Sequence, residues 1–287
     1  LFVFTAEARF GAVRWLEVGQ ILIQPAELAK IVIILTLANF FANHMKKELD
    51  LKTILQSGLL VGGLVIWIFL QPNLSTTIVL LVIWASILWI AGIKIRFILI
   101  AIGILLLVLL IGAATGFSFL ADYQMDRITN FLFPDPDARY GETYNVDQAL
   151  ITIGTGGWFG QGYNQSSQVQ LRFLKVRHTV FIFSVLSAEF GFVGALVVIG
   201  LLILVVVRCM RISQNAPDVF GSLIAYGFGF LIFFQTIVNI GVNINVIPVT
   251  GLTLPFVSYG GSSLLSLMLG IGMVESIAMR SSSSPEK

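Results

Sequence analysis

Glu27 and Lys30 lie three residues apart at the start of a long apolar run, a spacing that sets a carboxylate and an ammonium on one face of a helix. A charge at bilayer depth costs at least about 2.5 kcal/mol, so such groups normally face a partner, a cavity or a transport path. An ion pair at a helix end near the headgroups is the alternative for these two. Glu189 is more isolated, deep in a later apolar run with no Lys or Arg within a helical turn, which favours a role in chemistry or a partner on another helix. Glu275 reads as an interfacial group. Arg172, Lys175, Arg177 and His178 cluster just before the run that holds Glu189. That cluster suits an anion such as a lipid-linked diphosphate, and equally a belt touching lipid headgroups.

Two segments rich in glycine could serve the same anion. Gly154-Thr-Gly156-Gly157-Trp-Phe-Gly160-Gln-Gly162 lacks the preceding strand and the lysine of a nucleotide loop. Its glycines permit tight turns, and their N–H groups could cradle a diphosphate. The run from Pro248 to Ser263 is too broken by proline and glycine for a helix, yet it lies between long apolar segments. Irregular backbone near membrane depth persists only where it is buried in protein or lines a watery cavity. A lone Cys209 excludes an intrachain disulfide and a cysteine-based metal cluster, and with His44 and His178 as the only histidines no zinc site is expected.

The elements that must position these groups are membrane helices. Hydrophobic residues make up 57% of the 287, charged residues 11%, and the mean hydropathy is +0.93. A net charge of +2 without a basic aromatic stripe gives no reason to invoke nucleic acid. With about 20 residues per crossing, seven spans are predicted, at 22–43, 53–70, 76–93, 97–116, 181–207, 219–240 and 261–279. Lys46, Lys47, Lys52, Lys94, Arg96, Arg208, Arg211 and Arg280 fall on one side, which the positive-inside bias makes cytoplasmic. The long loop 117–180 is then outside and the C-terminus inside, with 1–287 forming one membrane domain. Phe131, Phe133, Trp158 and Phe159 argue that the loop folds against the membrane surface. A start at Leu1 without methionine reads as a fragment whose N-terminal spans are missing.

An ordered series of motifs gives a resemblance. It comprises Arg14-Trp15, Gln24-Pro-Ala-Glu27-Leu-Ala-Lys30, Gln71-Pro72, Tyr123-Gln124, Arg127-Ile128, Phe131-Leu132, Gln148, Ile153 to Gly157 and Pro248 to Ser263. The series resembles the FtsW/RodA/SpoVE family of shape, elongation, division and sporulation proteins, bacterial membrane glycosyltransferases that polymerise lipid II for peptidoglycan. The resemblance implies an all-α polytopic fold of about ten transmembrane helices, roughly two of which would precede this chain. It also implies a location in the bacterial cytoplasmic membrane, lipid II as ligand, a class B penicillin-binding protein transpeptidase as partner, and surrounding membrane lipid. Substrate contacts are implied for Glu27, Lys30, Gln71, Asn73, Arg127 and Gln148; for Gly156, Gly157, Lys175 and Arg177; and, in the final run, for Thr250, Pro255, Ser258, Tyr259, Gly260, Gly261 and Ser262.

The implied reaction joins the sugar of one lipid-linked disaccharide to the 4-hydroxyl of another and releases a diphosphate. It needs a base at the hydroxyl and positive charge at the leaving group. A divalent cation such as Mg or Mn suits a diphosphate, although no ligand spacing marks a site. The resemblance places the base in the pattern H-T-D-F-I-F, which here reads His178-Thr179-Val180-Phe181-Ile182-Phe183, and valine accepts no proton. The family patterns Q-P-D-L-G-T and A-E-E also lose a carboxylate each, at Asn73 and Ala188. Three outcomes stay open: polymerisation with His178, Glu189 or Asp147 as base; a lipid II flippase; or a non-catalytic lipid II-binding scaffold for the transpeptidase.

Overall fold

Hydrocarbon offers backbone N–H and C=O groups no partners, so each long apolar run must close its own hydrogen bonds as a helix. The computed structural model describes residues 16–18, 21–44, 50–71, 73–97, 99–100, 103, 107, 122–134, 141–171, 173–174 and 177–282. It opens with a small antiparallel hairpin, β1 (Leu16–Val18) and β2 (Ile21–Ile23), in which Glu17 stands opposite Leu22. The helices follow: α1 (Pro25–His44), α2 (Leu51–Phe69), α3 (Leu74–Ile90), α4 (Asp122–Leu132), α5 (Glu142–Thr155), α6 (Ser167–Gln170), α7 (Ile182–Gln214), α8 (Val219–Asn243) and α9 (Gly261–Ser282). Five of them, α1, α2, α7, α8 and α9, are long and apolar enough to cross a membrane. At 17 residues α3 reaches about 26 Å, slightly short of the ~30 Å hydrocarbon core. These six match six of the seven expected spans, and the expected span 97–116 lies mostly outside the described residues.

Within the loop expected at 117–180 the described residues form the helices α4, α5 and α6, with turns and a glycine loop between and after them. α5 packs on α7, which in turn packs on α8, and α8 meets α1, α3 and α9. The core therefore sits around α8 and α1, where Phe41, Ile34, Phe228 and Ile232 are fully buried. Polar N-caps start several helices. Asp50 Oδ1 accepts from Thr53 N at 2.9 Å, Asp218 Oδ1 from Gly221 N at 2.6 Å and Asn73 Oδ1 from Thr76 N at 3.3 Å.

α7 covers the span expected at 181–207 but is kinked near its start. Gly191 interrupts it with φ 69° and ψ −170°, so Glu189 lies at a break rather than mid-helix. A break frees carbonyls before it and N–H groups after it, and the glycine loop after α5 satisfies both sets. Gln161 N donates to Ala188 O at 2.9 Å and Gly162 N to Glu189 O at 3.0 Å; Phe192 N donates to Gly157 O at 2.9 Å and Val193 N to Trp158 O at 3.1 Å. Close approach explains the glycines. A Cβ on Gly156 would stand 1.9 Å from Ser187 O, one on Gly160 2.2 Å from Glu189 O, and one on Gly191 2.3 Å from Gly160 N.

This joint yields a prediction. Gly191→Ala meets both a left-handed backbone and a backbone clash, and is expected to destabilise by about 3 kcal/mol. Gly154→Ala, with no neighbouring atom within 4 Å, is expected to be neutral or slightly stabilising. Thermal unfolding of the two purified variants checks the contrast, and equal midpoints would count against the interlock.

Candidate functional site: a cavity at three helix N-termini

One cavity of about 540 Å³ gathers residues from far apart in the chain. Gln24 and Glu27 come from the start of α1, Asn73 to Thr76 from the start of α3, and Gly260, Ser262 and Ser263 from the start of α9. Gln124, Arg127 and Ile128 of α4, Thr179, Phe234 and Val238 of α8, and the strip Ile247 to Thr253 complete the lining. Three helix N-termini thus meet at one cavity, and each carries the positive end of a helix dipole. Side chains lock the junction: Gln24 N donates to Ser262 Oγ at 2.9 Å, Thr253 and Ser263 hydroxyls lie 3.1 Å apart, and Ser75 Oγ donates to Thr250 O. Asn73 Nδ2 and Thr250 Oγ1, both buried, have no hydrogen-bond partner among the described residues. Such groups call for a ligand or water.

Glu27 and Lys30 form a buried pair, Oε2 to Nζ 2.7 Å, with side chains 9% and 3% exposed. The pair lies in the first turn of α1, enclosed by protein, with its carboxylate bordering the cavity. The pair is net neutral, so the positive character of the cavity comes from the helix ends and from Arg127. Arg127 Nε also pairs with Glu142 Oε1 at 2.9 Å, joining α4 to α5 beside a smaller cleft that includes Asp147 and Asn245.

Burial pushes the Glu142 carboxyl above its ordinary value of 4.5, and Arg127 opposes the shift. A raised pKa means that the folded state holds the proton more tightly, so this group's stabilisation is present below about pH 4.5 and is lost as pH rises through the folded value. The pair is one-third exposed, so the effect stays under about 1 kcal/mol. Glu142→Gln is expected to flatten that part of the pH–stability curve measured by thermal unfolding, and an unchanged curve would remove Glu142 as its source.

The turn bearing position 180 is held from two sides. Asn239 Nδ2 and Asn243 Nδ2 each donate to Val180 O at 2.9 Å, and Asn243 Oδ1 accepts from Ser184 N and Oγ at 3.1 and 2.6 Å. Ser258 Oγ donates to Thr179 O at 2.8 Å, and Tyr259 N to His178 O at 2.8 Å. Val180 itself is 9% exposed beside the lining residue Thr179. His178 is exposed, its Nε2 accepting from Arg177 Nε at 3.3 Å, while Arg177 Nη1 also donates to Val169 O.

Of the residues expected to touch substrate, Glu27, Asn73, Arg127, Thr250, Tyr259, Gly260 and Ser262 line the cavity. Gln71 sits in the turn between α2 and α3, and Gly261 begins α9 behind the lining. Pro255 is buried in the following turn, and Ser258 secures that turn by accepting from Leu254 N at 2.7 Å. Gln148 lies along α5, away from the lining, and its carbonyl accepts from Thr152 Oγ1 at 2.6 Å. Gly156 and Gly157 lie at the joint with α7, where Gly156 approaches Ser187 O and Gly157 O accepts from Phe192 N, and neither borders the cavity. The same loop commits the N–H groups of Gly160, Gln161 and Gly162 to carbonyls, so these do not cradle a diphosphate. Glu189 is buried at the break and is not part of the lining. Lys175 and Arg172 lie outside the described residues.

Asn239 and Asn243 escaped the sequence reading although their signal was present, two amides four residues apart in an apolar helix. Among the described residues no three His, Cys, Asp or Glu side chains come together as metal ligands. At the cavity the donors are a lysine-paired carboxylate, amides and hydroxyls, which do not fit a protein-built divalent site.

Fold and cavity together define a polytopic membrane protein with a largely apolar chamber that carries a polar end. The chain belongs to the FtsW/RodA/SpoVE family, whose model, described as "Cell cycle protein", matches residues 1–283. It is 38% identical over 273 residues to the peptidoglycan glycosyltransferase MrdB of Escherichia coli, covering 93% of this chain and 71% of that protein. It is 37% identical over 268 residues to the probable peptidoglycan glycosyltransferase FtsW of Francisella salina, covering 92% and 65%. The chain thus spans about two thirds of the length of these relatives. A solved structure concerned with coordination of polymerization and crosslinking by a peptidoglycan synthase complex superposes with TM-score 0.80 at 30% identity, over 98% of this chain and 77% of its own. Thermus thermophilus RodA gives 0.65 at 29%, over 95% and 71%.

Proposed function

We propose that this chain binds lipid II in the cavity and takes part in polymerising it into glycan strands at the bacterial cytoplasmic membrane. The observation that carries the reading is the convergence of the N-termini of α1, α3 and α9 on a chamber that also presents Ile78, Phe234 and Val238. Dipole ends suit a diphosphate, and the apolar side suits the lipid attached to it. Placing that chamber outside agrees with Lys and Arg gathering at the opposite ends of the helices. The relatives' names supply the reaction. A 4-hydroxyl oxygen bonds to the anomeric carbon of the donor sugar, the diphosphate leaves with the electrons of the broken C–O bond, and the hydroxyl proton passes to a base.

Val180 cannot be that base. His178 next to the lining and Asp147 in the adjoining cleft are better placed than Glu189, which is not part of the lining. Turnover is therefore slow, and the apolar Val180 favours a second reading in which the chain binds lipid II for a transpeptidase of the penicillin-binding class. The match to a peptidoglycan synthase complex supports such a partner. Any divalent cation would be carried by the diphosphate rather than by the protein.

Labelled lipid II titrated onto the purified chain, followed by gel analysis of glycan strands, tests the reading. Saturable binding weakened by Asn73→Leu supports the cavity, and strands show turnover. Binding without strands selects the scaffold, while translocation in vesicles without strands selects a flippase. No binding overturns the proposal.

A further inference from the structure

At the end of the bundle remote from the cavity, a second recess of about 600 Å³ lies between the last turns of α7 and α9. Arg208, Arg211 and Asn215 line it from α7, and Glu275, Ala278 and Ser281 from α9. The two helix ends are tied by Ser281 Oγ donating to Asn215 O at 2.6 Å. Among the described residues neither guanidinium nor the Glu275 carboxylate forms an ion pair, and all three side chains are exposed. The recess therefore offers two fixed positive charges and one negative charge, held apart from one another.

The face of α7 that leads to it is unusual in its continuity. Val197, Leu201, Leu204, Arg208, Arg211 and Asn215 follow one another at spacings of four, three, four, three and four, which keeps them on a single stripe. The apolar members are open to the surroundings, at 56%, 57% and 56% exposure. In a membrane-spanning helix such a stripe faces lipid, and it changes from hydrocarbon-like to cationic where the headgroups begin. An acyl chain lying along Val197, Leu201 and Leu204 brings its own phosphate to Arg208 and Arg211, as paired donors that match phosphate oxygens. A purely anionic lipid would leave Glu275 facing negative charge. A headgroup that carries a primary ammonium beyond its phosphate instead places a cation with N–H donors at that carboxylate.

We propose that the recess between the ends of α7 and α9 is a binding site for a phospholipid bearing both phosphate and primary ammonium, of which phosphatidylethanolamine is the simplest. Arg208 and Arg211 hold the phosphate, Glu275 accepts from the ammonium, and the α7 stripe carries one acyl chain. This site is independent of the cavity chemistry.

Native mass spectrometry of the purified chain, with equal amounts of phosphatidylethanolamine, phosphatidylcholine and phosphatidylglycerol of matched chains, tests the proposal. Bound phosphatidylethanolamine is expected to exceed each of the others by about five-fold, the scale of one charge contact at the membrane surface. Phosphatidylcholine fails because its quaternary ammonium has no N–H, and phosphatidylglycerol because it brings no cation. Glu275→Gln is expected to abolish the preference for phosphatidylethanolamine over phosphatidylglycerol while retaining phosphate binding. Arg208→Ala with Arg211→Ala is expected to weaken all three lipids. All three positions are exposed, and unchanged thermal unfolding in lipid-free detergent verifies that each variant is folded. Equal retention of the three lipids by the unaltered chain, or a preference that survives Glu275→Gln, overturns the proposal; a preference for phosphatidylglycerol does so as well.

Discussion

Val180→Asp is expected to raise glycan-strand formation by about 10²–10⁴-fold, the usual contribution of a positioned base. The exchange is close in volume, and the backbone that would carry the new carboxylate is already fixed. Two asparagine amides pin the Val180 carbonyl, and Ser258 and Tyr259 hold the two preceding residues. The position also stands just before the N-terminus of α7, where a helix dipole keeps a carboxylate ionised and ready to take a proton. Val180→Asn is the control, equal in shape to aspartate but unable to act as base, and should leave the rate at that of the unaltered chain. Polymerisation of labelled lipid II by the three proteins under one condition decides the matter. Equal rates for valine and aspartate would show that proton transfer does not pass through position 180.

Lys30→Met is expected to cost about 3–5 kcal/mol of stability, because it strands the Glu27 carboxylate in a buried site with its counter-charge gone. Methionine keeps the length and most of the volume of the lysine side chain, so packing changes little. Glu27→Gln combined with Lys30→Met removes both charges and should recover most of the loss, since replacing a whole buried pair is often near neutral. Unfolding midpoints of the two single variants and the double variant close the cycle. A double variant as unstable as the sum of the singles would mean that the two groups act independently. Glu27→Gln also removes the carboxylate that borders the cavity, so its effect on lipid II binding separates the structural role of the pair from a contact with ligand.

The transmembrane helices were legible because hydrocarbon imposes one length and one hydrogen-bonding solution, and α1, α2, α8 and α9 fall within a few residues of their expected limits. The strip from Pro248 to Ser263 was legible for the complementary reason, since proline and glycine inside an apolar stretch mark backbone that must be sheltered. The meeting of Gln24, Asn73 and Gly260 was not readable, because nothing local in the chain encodes which helix ends become neighbours. The glycines from Gly156 to Gly162 were legible as a place of tight turns, but glycine signals close approach without naming what approaches, and at Gly156 and Gly160 it is the backbone of α7. Glu189 was misplaced by the same missing contact, because the apolar run around it gives no hint that Gly191 opens the helix.

The polar end of the cavity combines side chains with the starts of three helices, and that sets its tolerance to change. A side-chain carboxylate can be lost in one substitution, and Asn73, Val180 and Ala188 stand where the family resemblance leads one to expect carboxylates. The dipoles of α1, α3 and α9 have no codon of their own and persist as long as the helices form. Under the proposed reading, holding the ligand depends on helices and turning it over depends on one side chain, so a single substitution can remove the second and leave the first.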